Sequence, residues 1–224
     1  MSLKGASAPL GDIFFNQILQ NQGSLSLSMG EQTTTIDMRL ELLKSSVLQA
    51  PVVWKGGYPY FVHPLSDGVP RQSSELLAAA RDLISENVDW DSIDIILGIE
   101  AMGIPLAAAL CLSSGKPLVI GRKRQYGLPG EVSIDHSTGY SKGDIFLNDI
   151  DAGALVLIVD DVVSTGGTLL PILRALDGSG AIVQDCWIVF EKGEGMNKVR
   201  AAGDWPLNSL VRIEMQGDKI ILLD

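Results

Sequence analysis

The stretch VLIVDDVVSTGGTLL, residues 156–170, carries the reading of this chain. Val156 to Val159 form an unbroken apolar run, the pattern of a strand covered on both faces. The run ends in two carboxylates, Asp160 and Asp161, followed by a loop of small and hydroxyl-bearing residues and then a helix start. In an open parallel sheet, ligands bind beyond the carboxyl ends of the strands, so the motif stands where a ligand site belongs. Ser164, Thr165, Gly166, Gly167 and Thr168 lie at the helix N-terminus, where free backbone N–H groups and the helix dipole favour a phosphate. Two adjacent carboxylates repel a phosphate but accept hydrogen bonds from a sugar diol. The ligand implied is a sugar phosphate. Neither the GxxxxGK[ST] loop nor the GxGxxG dinucleotide fingerprint is present.

Working outward, apolar segments alternate with helical ones. Strands are expected over Ile93–Gly98, Pro117–Gly121, Leu155–Val159, Ile182–Phe190 and Leu210–Met215. Helices are expected from a Ser73 or Ser74 cap to about Asn87, over Ile104–Leu112 and over Thr168–Leu176. This alternation predicts an α/β protein with a mainly parallel central sheet flanked by helices. Residues 51–70 are punctuated by proline and glycine and suit short extended pieces, Pro51–Trp54 and Tyr60–Val62. Residues 122–151 carry glycines that break any regular pattern, as a mobile lid would. Leu40, Leu43 and Val47 share one helical stripe from Met38 onward. Residues 1–37, rich in Gln, Ser, Gly and Thr, read as a low-complexity N-terminal extension, with Met1-Ser2-Leu3 as an expression remnant.

Composition narrows the function. Charged residues are 20% of the chain and hydrophobic ones 46%, enough apolar matter for a full core. No run approaches the ~20 apolar residues that span a bilayer, and no secretory signal pattern is present, so the cytoplasm is expected. The formal net charge of −10 argues against nucleic acid as a partner, which calls for a basic face. Cys111 and Cys186 sit in apolar stretches and read as buried, inert thiols. With two histidines and no CxxC, a zinc site is not expected.

Two further segments suit the site. GIEAMGIP, residues 98–105, joins a strand end to a helix start and forms a second anion-binding turn. GRKRQYGLPGE, residues 121–131, holds the one basic cluster of an acidic chain, Arg122, Lys123 and Arg124.

On these residues the chain resembles the type I phosphoribosyltransferase family, whose signature is an apolar strand, two acidic residues and a hydroxyl- and glycine-rich loop. Residues 38–224 are similar to archaeal hypoxanthine (guanine) phosphoribosyltransferases through YFVHPLSDGVP, EAMGIP, RKRQYGLPGE, TGYSKG and VLIVDDVVSTGGTL. The resemblance implies the type I fold with a small hood over residues 38–224. It implies transfer of ribose 5-phosphate from phosphoribosyl pyrophosphate to hypoxanthine or guanine, releasing pyrophosphate. Adenine is the alternative base, and a non-catalytic sensor of phosphoribosyl pyrophosphate is the alternative of another class.

The resemblance also distributes roles. Asp160 and Asp161 hold the ribose hydroxyls, and Ser164 through Thr168 the 5′-phosphate. Glu100, Ala101, Met102 and Gly103 form the pyrophosphate loop, which in relatives often carries a non-proline cis peptide and a basic residue that this chain lacks. Arg122 and Lys123 act catalytically from the lid, and Arg124 contacts pyrophosphate. Phe61, Val62 and Phe190 are candidates to stack on the base. No direct metal ligand is expected; Mg²⁺ is held mainly by the substrate and waters near Asp160 and Asp161. A homodimer is implied, because a basic lid residue of adenine-type relatives reaches the neighbouring site. Thr138-Gly139-Tyr140-Ser141 stands where many adenine enzymes carry a glutamate, so that residue's role does not transfer.

Overall fold

The computed structural model of the chain describes residues 37–137 and 142–223. The extension 1–37, except Asp37, and Thr138–Ser141 lie outside the described residues. Helix α1 (Met38–Leu48) buries Leu43 and Val47. A hairpin of β1 (Val52–Lys55) and β2 (Tyr58–Phe61) follows, then a single helical turn, α2 (Pro64–Asp67). Helix α3 (Ser74–Ser85) is capped by Ser73, whose hydroxyl accepts from the Leu76 N–H.

The central layer comes next in the chain: β3 (Ile95–Ile99), α4 (Gly103–Ser114), β4 (Leu118–Gly121), β7 (Leu155–Val163), α5 (Leu169–Ser179), β8 (Ile182–Lys192), α6 (Gly195–Arg200), β9 (Leu207–Gln216) and β10 (Lys219–Leu223). Between β4 and β7 the chain makes a hairpin of β5 (Val132–Ser137) and β6 (Lys142–Leu147). This corrects the expectation of an irregular segment throughout 122–151. Alternating Val132, Ile134, Ile145 and Leu147 supply a strand pattern that the glycines of 127–143 conceal.

The sheet has six strands in the order β10-β9-β8-β7-β3-β4. Its four pairings from β9 to β4 are parallel, and β10 returns antiparallel to β9 through a tight turn with Gly217 at φ 63°. Strand β3 has β4 on one side and β7 on the other, so the winding reverses between β3 and β7. That reversal opens a crevice at the strands' carboxyl ends.

Period-two alternation sends neighbouring residues to opposite faces. Ile96, Leu157 and Val189 join Leu43, Ile84 and Leu110 in one cluster, whereas Leu97, Ile158 and Ile188 join Ile172, Leu173 and Cys186 in the other. All twelve are at most 1% exposed, which is why the strands read as continuous apolar runs. Each such aliphatic side chain contributes about 1.5–3 kcal/mol through burial. Cys111 and Cys186 are both free thiols, the second fully buried. No helix among the described residues is long and apolar enough to cross a membrane.

Candidate active site

A cavity of about 270 Å³ lies at the reversal. Its floor is the end of β7, which runs on through both aspartates to Val163 rather than stopping before them. Asp160 and Asp161 therefore project from a regular strand paired to β8 through Asp160↔Ile188. Asp160 is 8% exposed, and its Oδ1 accepts from the Asp161 N–H at 3.0 Å. Burial raises the pKa of both carboxyls. At Asp161 the negative charge of Asp160 adds to the rise, whereas the Lys123 ammonium opposes it at Asp160. Two acids this close and this buried cannot both ionise cheaply, so the pair retains a proton above the ordinary carboxylate range.

The next wall is the loop Ser164–Thr168 and the start of α5. Thr168 makes no side-chain cap, and of the first-turn N–H groups that of Leu170 donates to the Gly166 carbonyl at 3.0 Å. Gly166 adopts φ 76°, and a Cβ there would stand 2.9 Å from both the Gly195 carbonyl and Val199 Cγ2. Glycine thus lets the loop turn against the start of α6. Opposite, the turn Glu100–Met102 leaves β3 with a cis peptide between Glu100 and Ala101. Gly103 begins α4, and a Cβ on it would lie 2.8 Å from the Val159 carbonyl. The missing side chain brings this turn against β7 and fixes its distance from the aspartates.

The segment expected to act as a lid enters at Lys123, which lines the cavity. The Glu100 carboxylate holds the lid's base: Oε2 accepts from the Lys123 N–H at 3.0 Å and pairs with Arg122 Nε at 3.3 Å. Backbone bonds between Arg122 and Phe146 tie the same point to β6. The lid tip is folded on Glu131, whose carboxylate accepts from the N–H groups of Tyr126 and Gly127.

The remaining wall is the hood. Tyr58, Tyr60, Phe61 and Ser66 face the cavity, and Lys192 faces them from the end of β8. Lys192 is 6% exposed; its Nζ donates to the Tyr58 hydroxyl at 3.0 Å and the Pro59 carbonyl at 2.5 Å. It also lies 4.0 Å from the Tyr58 ring centroid. Buried His63 fixes the hood's root, with Nδ1 accepting from the Leu65 N–H and Nε2 bonded to Ser46 Oγ. Burial lowers its pKa to about 4, so it stays neutral.

The cavity thus collects Asp160, Asp161, Ser164, Thr165, Gly166, Gly167, Thr168, Glu100, Ala101, Met102, Lys123 and Phe61. Gly103 sits one residue behind the wall. Arg122 is turned to Glu100, and Arg124 is exposed, 5.8 Å from the Tyr126 ring. Val62 and Phe190 are off the wall. The Val62 N–H closes the hood hairpin on the Pro51 carbonyl, and Phe190 is wholly buried, edge-on to Phe61 and His63. Lys192 and Tyr58 went unread in the sequence. A Glu-Lys pair ending the apolar run Cys186–Phe190 is the signal that points to Lys192, by the same logic as the Asp pair that follows Leu155–Val159. No cluster of three or more His, Cys, Asp or Glu among the described residues suits a metal. Two carboxylates fit Mg²⁺ only where a substrate's oxygens complete its shell.

The phosphoribosyl transferase domain family matches residues 72–207. The hypoxanthine/guanine phosphoribosyltransferases of Ferroglobus placidus and Methanohalophilus mahii are 48% and 46% identical over 185 residues. These alignments cover 83% of this chain and 98% and 96% of theirs. The crystal structure of adenine phosphoribosyltransferase from Rhodothermus marinus superposes with a TM-score of 0.64 at 25% identity, covering 78% of this chain and 98% of that one.

Proposed function

The chain belongs to the phosphoribosyltransferase family, and on that premise we propose that it is a purine salvage enzyme. It transfers the 5-phosphoribosyl group of phosphoribosyl pyrophosphate to hypoxanthine or guanine and releases pyrophosphate. The observation that carries this reading is the joining of a buried acid pair, a helix-start loop and a buried lysine in one cavity.

Breaking the bond between C1 and pyrophosphate builds positive charge on the ribose and negative charge on the leaving group. Asp160 and Asp161 accept hydrogen bonds from the 2′- and 3′-hydroxyls and face the developing cation. Positive charge developing on the ribose favours the ionised form of the pair, whose retained proton passes to solvent. Ser164 through Thr168 hold the 5′-phosphate with backbone and hydroxyl donors. Ala101, Met102 and Gly103 present backbone to the pyrophosphate, and Lys123 provides the nearest cation. Arg122 provides a second once released from Glu100. Asp160 and Asp161, together with the substrate's own oxygens, would hold Mg²⁺, which would supply positive charge to the leaving pyrophosphate.

Lys192 supports the choice of base. Its ammonium has donors only, which suits the 6-oxo group of hypoxanthine or guanine and leaves the 6-amino group of adenine without an acceptor. Phe61 supplies an apolar edge to the same wall. Arg124 is exposed outside its own cavity and, in a homodimer, reaches the partner's pyrophosphate. The free thiols suit a cytoplasmic enzyme.

Pyrophosphate release from phosphoribosyl pyrophosphate and Mg²⁺, with hypoxanthine, guanine, adenine and xanthine in separate reactions, tests the reading. Turnover with hypoxanthine and guanine is expected. Turnover with adenine alone would keep the mechanism and overturn the base. Binding of phosphoribosyl pyrophosphate without turnover of any base would make the chain a sensor.

A further inference from the structure

Three side chains from distant parts of the chain meet between the hood and the phosphate loop. Lys192 Nζ donates to the Tyr58 hydroxyl at 3.0 Å, and the same hydroxyl is hydrogen-bonded to Ser164 Oγ. All three line the cavity, and Lys192 is buried. Taken together with the reading of Ser164–Thr168 as the phosphate loop, on which it rests, this contact has a direction.

An ammonium only donates, so the Tyr58 oxygen is an acceptor towards Lys192. A phosphate dianion only accepts, so Ser164 beside it must turn its proton to the anion. The Ser164 oxygen is then left to accept, and the proton between the two hydroxyls belongs to Tyr58. A cation at one end and an anion at the other orient every bond between them the same way, and each polarises the next.

We infer that Lys192, Tyr58 and Ser164 form a polarised hydrogen-bond relay that aims the Ser164 hydroxyl at the substrate's 5′-phosphate, with Tyr58 as its positioning residue. The relay joins the two half-sites. The lysine facing the base is the one that polarises the serine facing the phosphate, and the hood hairpin carrying Tyr58 is the link. A ligand lacking the 5′-phosphate gains nothing from it. Tyr58 is thus a determinant of specificity for a phosphorylated sugar, although it belongs to the hood and not to the loop.

The test uses the full chain, with Tyr58→Phe, Ser164→Ala and the double variant. The dissociation constant of ribose 5-phosphate is measured by calorimetry, the kcat and KM for phosphoribosyl pyrophosphate by pyrophosphate release, and the Tm of each variant. Each single change is expected to weaken ribose 5-phosphate and raise KM about tenfold, the loss of one charge-assisted hydrogen bond. The loss is expected chiefly in KM and in ribose 5-phosphate affinity rather than in kcat, because the phosphate is remote from C1. The double variant should bind no more weakly than Ser164→Ala alone, at unchanged Tm, since both remove one pathway. Additive losses, or a loss in Tyr58→Phe accompanied by a lowered Tm, mark a packing role and overturn the relay. Unchanged or tighter binding in Tyr58→Phe, with Ser164→Ala weakened, overturns the relay and leaves the phosphate loop standing. Wild-type affinity in Ser164→Ala overturns the loop reading and the relay with it.

Discussion

The two ends of the cavity are built in opposite ways. The acid pair and the loop proposed to hold the 5′-phosphate come from one run, Asp160 to Thr168, in which a strand, a turn and a helix start follow without interruption. The wall proposed to face the base comes from pieces far apart in the chain: Lys192 meets Tyr58 across 134 positions, and Tyr58 meets Ser164 across 106. A contiguous run can be built on rigid elements that carry their own backbone donors. An assembled wall owes its shape to tertiary packing, and a few substitutions there can change which base is accepted without touching the ribose site.

The largest effect expected on this division falls at the contiguous end. Asp160→Asn with Asp161→Asn removes the carboxylates facing the ribose, and turnover should fall at least about a thousandfold with every base, a loss of ~4 kcal/mol in transition-state stabilisation. Activity within tenfold of wild type in a steady-state assay would remove the aspartates from the reaction. A smaller effect is expected where the lid joins the pyrophosphate turn. Glu100→Ala removes the acceptor that holds the Lys123 backbone, and the lost positioning of Lys123 should raise KM for phosphoribosyl pyrophosphate about fivefold to tenfold. In a Lys123→Ala background that effect should largely vanish, because Glu100 acts through Lys123. Equal effects in both backgrounds would separate the two residues.

The smallest effect is on stability and has the opposite sign. Both aspartates have pKa values raised on folding, chiefly by burial. Their contribution is fully present below the unfolded-state value and is lost as pH rises through the folded-state value, so at neutral pH the pair costs stability. The inactive asparagine variant should therefore melt a few degrees higher than wild type at pH 7, ~1 kcal/mol being worth about 2–4 °C in a domain of this size. The gain should shrink towards pH 4. A lower Tm at pH 7, measured by calorimetry, would mean that the carboxylates are held by compensating partners.

The same contrast explains what could be read in advance. Apolar runs at Ile95–Ile99, Leu155–Val159 and Cys186–Phe190 announce a sheet covered on both faces, and residues 160–168 announce the ligand end of it. The β5–β6 hairpin was hidden because its short alternation lies between glycines that signal loop. The approach of α4 to β7 at Gly103 belongs to tertiary structure and leaves only a glycine in the sequence. Phe190 had the right chemistry for stacking on a base, but it lies buried beneath Phe61 and His63, and Lys192, two residues further on the same strand face, is the one that reaches the cavity. Tyr58 had no local signal, since Lys192 and Ser164 lie far from it in the chain.

The most direct test of a contiguous ribose-phosphate end joined to an assembled base end is a pair of titrations on Lys192→Met. Inosine monophosphate and ribose 5-phosphate are each titrated calorimetrically into wild type and variant. Losing a buried charged donor to the 6-oxo group should weaken the nucleotide about a hundredfold. Ribose 5-phosphate, which feels Lys192 only through Tyr58, should weaken no more than about tenfold. Equal losses for both ligands, or none for the nucleotide, would contradict the division.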